Sequence, residues 1–89
     1  MGSRGGPTRS RILLALMKRP MNKRQLALHL NLNYKTVEKH VKILEENGLI
    51  EQASPGAYGA PYFLSEEAVR NRDLILRLIR ESLGDVEDC

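Results

Sequence analysis
Residues 25–50 read Gln25-Leu26-Ala27-Leu28-His29-Leu30-Asn31-Leu32-Asn33-Tyr34-Lys35-Thr36-Val37-Glu38-Lys39-His40-Val41-Lys42-Ile43-Leu44-Glu45-Glu46-Asn47-Gly48-Leu49-Ile50, and this stretch decides the fold. Leu26, Ala27 and Leu30 share a face at helical spacing. Asn22 just upstream is a good N-cap, so a helix is expected from Lys23 to about Leu30. Asn31-Leu32-Asn33 breaks the period. Leu32 is expected to face the core and Asn33 to cap a following helix, Tyr34 to about Asn47. Gly48 suits the position just past a helix end, where a left-handed backbone is needed. Two helices joined by so short a turn make a helix-turn-helix.

The second of these helices has two chemically different sides. At ~100° per residue and with Val37 at zero, Val41 falls near ~40° and Leu44 near ~−20°, which marks the buried side. Lys35 falls near ~160°, Lys39 near ~200° and Lys42 near ~140°, a lysine ridge opposite the core. A duplex major groove admits a helix of this kind. Lysines on the ridge would neutralise phosphates or reach guanine edges. Asn33, Tyr34, Lys35 and Thr36 stand at the end that meets base edges in this motif. Lys23 and Arg24 open the preceding helix, where backbone N–H groups also favour a phosphate. Glu46 sits on the ridge at its far end and counts against DNA. Tyr34 has a second reading, packing on the preceding helix. His40 is read as an edge packing residue or a phosphate contact, and His29 as structural.

Working outward, the period changes to about two after Gly48. Leu49–Ala53 reads as a strand, Ser54–Ala60 as a loop with two glycines and a proline, and Pro61–Leu64 as the returning strand of a hairpin. Upstream, Thr8 or Ser10 is expected to cap a first helix that runs to about Lys18 and is stopped by Pro20. Its stripe is Ile12, Leu13, Leu16 and Met17. Downstream, Ser65-Glu66-Glu67 opens a fourth helix continuing to about Leu83. With Ile75 at zero, its apolar residues spread from about −100° (Leu74) to about 120° (Val69), wider than the ~100° stripe of a surface helix. One side would pack on the first helix. A second subunit is the simplest cover for the rest, through Leu74, Ile75, Leu78 and Ile79.

Charge divides the chain in the same place. Residues 1–44 hold ten Lys/Arg and one acid, a formal +9, while residues 45–89 hold four Lys/Arg and ten acids, a formal −6. The basic half, including Arg9 and Arg11, is expected to meet a polyanion, and the acidic half to face away from it. Cys89 is the single cysteine, so no disulfide framework or cysteine-rich zinc site is expected, and its thiol is read as free. No apolar run approaches the ~20 residues a bilayer span needs. The first residues have no signal-peptide character, and a cytoplasmic location is expected. No nucleophile–base pair, glycine-rich phosphate loop or metal cluster points to an enzyme or a cofactor.

The quoted stretch resembles the winged helix-turn-helix of ArsR-like and MarR-like transcription regulators. The resemblance rests on Leu26-Ala27, Thr36-Val37, His40, Leu44 and Gly48-Leu49-Ile50. Tyr62-Phe63-Leu64-Ser65 is similar to the family's second wing strand and the cap of its next helix. It implies a mainly α fold with a small β-hairpin wing (α+β) and an added C-terminal dimerisation helix. The expected organisation is a flexible tail over 1–7, a DNA-binding domain over 8–64, the dimerisation helix over 65–83 and an acidic tail over 84–89. Metal-sensing members carry paired cysteines or histidine–acid clusters, which this chain lacks. DNA-binding wings often carry a basic tip, whereas Ser54–Ala60 has no charge and offers Tyr58.

The expected function is a homodimeric regulator of transcription that binds double-stranded DNA, with no membrane and no cofactor. The candidate contacts are Lys23, Arg24, Asn33, Tyr34, Lys35, Thr36, Lys39, His40, Lys42 and Tyr58. Paired recognition helices would enter major grooves ~34 Å apart. The alternative is a winged-helix module that docks an acidic protein in a transcription or replication assembly.

Overall fold
The computed structural model describes residues 6–83, in the order α1 (Gly6–Lys18), α2 (Lys23–Leu30), α3 (Tyr34–Glu46), β1 (Ile50–Gln52), β2 (Tyr62–Leu64), α4 (Glu66–Arg70) and α5 (Arg72–Leu83). The expected acidic tail, including Cys89, lies outside the described residues.

The helix-turn-helix is shaped by local hydrogen bonds. Asn22 and Gln25 form a reciprocal capping box: the Gln25 N–H donates to Asn22 Oδ1 at 2.7 Å and the Asn22 N–H to Gln25 Oε1 at 2.8 Å. At the other end of α2, Asn31 adopts φ +57°, the left-handed conformation that asparagine tolerates better than most residues. The Leu32 N–H then reaches Ala27 O at 2.9 Å and the Asn31 N–H reaches Leu28 O at 3.3 Å, which satisfies the last carbonyls of α2. The same device ends α3. Gly48 sits at φ +73°, with Leu49 N–H to Leu44 O and Gly48 N–H to Glu45 O, both 3.0 Å. Ser65 locks this end to α4: its hydroxyl donates to Gly48 O at 2.7 Å and accepts from the Ala68 N–H at 3.1 Å.

The hairpin is antiparallel, with Ile50 opposite Leu64, Glu51 opposite Phe63 and Gln52 opposite Tyr62. Ile50, Tyr62 and Leu64 turn inward while Glu51 faces solvent, as a period of two requires. The strands are shorter than the sequence suggests, and Gln52, while still paired with Tyr62, uses its side chain to organise the wing. Its Nε2 donates to Ala57 O (2.9 Å) and Ala60 O (3.1 Å), and its Oε1 accepts from the Gly56 N–H (3.1 Å). A feature the sequence did not announce closes the sheet. Met21 and Tyr62 exchange both backbone hydrogen bonds, at 3.2 and 2.8 Å, so the α1–α2 connection adds a rung beside β2.

Ile12, Leu26, Val37, Val41 and Ile50 are the largest fully buried side chains, so α1, α2, α3 and the hairpin share one core. Two expectations at the helix ends are corrected. First, α1 begins at Gly6, upstream of Thr8, and Ser10 is buried within it instead of capping it. Pro7 is tolerated there because first-turn N–H groups have no intrahelical acceptor. Second, the single fourth helix is two. Asn71 departs from helical geometry (φ −103°, ψ 23°), and its side-chain amide donates to Glu67 O at 2.9 Å. Such a residue offers the backbone an alternative to continuing the helix. The angle assigned to Val69 from Ile75 assumed an unbroken helix and does not carry across this break. Beyond it, α5 packs on α1 and buries Ile79 at 5% exposure.

Candidate nucleic-acid interface
The two faces of α3 separate as the sequence angles require. Val37, Val41 and Leu44 are buried, and Lys35, Lys39 and Lys42 are exposed. These three lysines and Lys23 line one open cleft of about 710 Å³ along the outer side of α3. A second cleft of about 400 Å³ lies between the wing and the N-terminal ends of α2 and α3, and takes in Lys23, Arg24, Tyr34 and Tyr58. Lys23, Glu45 and Tyr62 line both, so the two clefts share a border. The wing is held in place over the second one by Asn22, whose Nδ2 donates to Gly59 O at 3.2 Å.

Individual residues differ in how available they are. Arg24 and Tyr58 are exposed, Tyr58 to 86%. Asn33 is exposed but spends its Oδ1 capping α3, through the Lys35 N–H at 2.7 Å. Thr36 and Tyr34 are half-buried, and Tyr34 lines the wing cleft. Lys23 forms an ion pair with Glu38 at 3.6 Å, a partly exposed contact of the kind worth at most ~1 kcal/mol. Arg11 is engaged elsewhere: its Nη2 donates to Leu30 O at 3.1 Å, fastening α1 to the end of α2.

Three sequence expectations change. His40 is 7% exposed, so its ring faces inward and not along the lysine ridge; of its two readings, the packing one describes its position. Its Nδ1 is buried without a hydrogen-bond partner among the described residues, and burial first, then Arg9 and Lys39, lower its pKa below 6.5. His29 stands exposed on α2. The acid that borders both clefts is Glu45; Glu46, suspected from the sequence, lines neither.

Tyr62 is a site residue that the sequence reading missed. The sequence placed it only in the returning strand, and the folded chain sets it where the linings of the two clefts meet. Burial, then the nearby Glu45 carboxylate, raise its phenol above 10.0, with Lys23 opposing. The hydroxyl is therefore protonated at neutral pH and available as a donor.

The same logic narrows the α5 face. Ile79 is buried within this chain and Ile75 is packed against the core, while Leu74 and Leu78 are 50% and 55% exposed, with Val69 at 53% on α4. Among the described residues no cluster of His, Cys, Asp or Glu stands close enough to hold a metal, and no helix is long and apolar enough to cross a membrane.

Three helices with α2 and α3 in a tight turn, followed by a two-stranded hairpin whose loop folds back beside α3, constitute a winged helix-turn-helix. The sequence profile described as bacterial regulatory protein, arsR family, matches residues 6–52, more than half of the chain. The chain belongs to the arsR family of bacterial regulatory proteins, a family of DNA-binding transcription regulators and not of enzymes. Among solved structures it is similar to ZitR of Lactococcus lactis, determined as the wild type in complex with DNA, at 23% identity and a TM-score of 0.67. The match covers 92% of this chain and 57% of the ZitR chain, so this chain spans little more than half of that protein and shares its fold. No curated protein matches the sequence.

Proposed function
We propose that two copies of this chain bind duplex DNA together, each placing α3 in a major groove and the wing beside it. The observation that carries this reading is the cleft that collects Lys23, Lys35, Lys39 and Lys42 on the side of α3 turned away from the core. Glu38, paired with Lys23, and Glu45 also line it, so four lysines stand against two carboxylates and the surplus charge is cationic, as a phosphate strand requires. Lys35, Lys39, Lys42 and Arg24 contact phosphates or base edges. Thr36, Asn33 and Tyr34 lie at the base-reading end, and Tyr58 reaches from an uncharged wing. Leu74 and Leu78, both half exposed on α5, form the apolar patch that a second copy covers.

Duplex binding followed by anisotropy at several salt concentrations tests the reading. An association constant that falls steeply with salt, at about 0.9 in log–log slope for each phosphate contacted, supports it. Absence of binding at low salt removes it and favours the protein-docking alternative.

A further inference from the structure
His40 is a polar side chain in a dry place. It lies on α3 at 7% exposure, and among the described residues no group accepts from or donates to its Nδ1. A neutral imidazole with its proton on the outer nitrogen leaves Nδ1 as a bare acceptor, which a buried site tolerates at modest cost. The protonated ring would put an N–H donor in that position with nothing to receive it, and would add a full charge. The charges that bear on the ring are Arg9 from α1 and Lys39 from its own helix, both cationic. Among the described residues, α2 and β1, which also pack on α3, add no charge to those two.

We propose that His40 is a proton-sensitive wedge between the recognition helix and α1, so that acidification loosens α3 and weakens duplex binding. A histidine lying on the phosphate face would act in the opposite sense, since its added charge would strengthen binding. The sign follows from linkage. The folded chain holds this ring neutral below 6.5, where the unfolded chain takes up a proton. The stability it contributes is complete above that value, falls as pH drops below it, and levels off once the folded ring is also charged.

His29 and His40 are the only two histidines, so the imidazole resonances are few enough to assign. The experiment has two arms, because the DNA half of the inference rests on the proposed function and the packing half does not. In the first, the two imidazole resonances are titrated by NMR. Urea unfolding is also followed from about pH 7.5 to about pH 5.5, where a histidine changes charge, for wild type, H40L and H40Q. The expected result is that His40 titrates below the ordinary histidine value of 6.5 and that wild type loses more stability on acidification than either variant. In the second, affinity for a mixed-sequence duplex is measured across the same window, and wild type is expected to weaken several-fold relative to H40L. A His40 titration at or above 6.5, or equal pH dependence in wild type and variants, would overturn the wedge. Duplex binding that strengthens with acid through His40 would overturn the switch. Failure to bind DNA at every pH would sink the proposed function while the first arm still decides the wedge, and the resonances of wild type decide it even where a variant does not fold.

Discussion

α3 and α5 are helices of 13 and 12 residues, each with one apolar and one charged side, yet the chain finishes one and not the other. In α3 the apolar side is fully covered, with Val37 at 0% and Val41 at 1% exposure. What remains outside is a lysine ridge in an open cleft. In α5, Ile79 is covered while Leu74 and Leu78 remain half exposed. A helix whose apolar side is satisfied by its own chain has a free face that is polar, and its partner is therefore sought by charge. A helix with an unsatisfied apolar side seeks another apolar surface. The comparison separates a helix whose free face is cationic from one whose free face is apolar, on physical grounds alone.

Substitutions can break that contrast at either end. The largest effect is expected from Val37→Asp, which buries a charge with no partner on the covered side of α3. It should cost about 3–5 kcal/mol and unfold the domain, seen as loss of the cooperative thermal transition by circular dichroism. Leu78→Glu should leave the protomer's fold intact, because the side chain is half exposed, but weaken self-association by about thirtyfold or more. Sedimentation measures this directly, and an unchanged association constant would move the dimer seam off α5. Lys39→Glu should leave stability unchanged and weaken duplex binding by about tenfold, with a shallower salt slope. Unchanged affinity would take α3 out of the interface. The smallest effect is expected from Glu45→Gln. Removing the one carboxylate shared by both clefts should tighten duplex binding about two- to threefold at low salt, and the gain should fade as salt is added.

The wing sharpens the contrast from another direction. Its loop carries no charge, and its shape is held by Gln52 from inside and by Asn22 from α2. It therefore presents Tyr58 at a set position without adding to the cationic field of α3. A tip of this kind bears on shape more than on phosphate charge.

Much of the site was legible because it is built from local rules. Asn22, Asn33 and Gly48 cap helices through bonds that span only a few residues, and the angular separation of Val37 from Lys39 follows from helix geometry. His40 carried two readings in the sequence, packing and phosphate contact, and the same rules separate them. Its angle, ~60° from Val37, already placed it nearer the core than the lysines at ~140–200°. Asn71 was missed for a different reason. Its amide competes with the helix only where the folded chain rewards a change of direction, here with α4 against the hairpin and α5 against α1.

The sequence by itself determined the helix-turn-helix, the hairpin and the opposition of lysine ridge to apolar stripe, since periodicity and capping act between residues close along the chain. Only the tertiary structure decided that Met21 pairs with Tyr62, that Tyr62 and Glu45 border both clefts, and that His40 is shut inside beside Arg9. Those outcomes depend on which distant segments meet and on how much water their meeting excludes. Neither is encoded in the spacing of any single stretch.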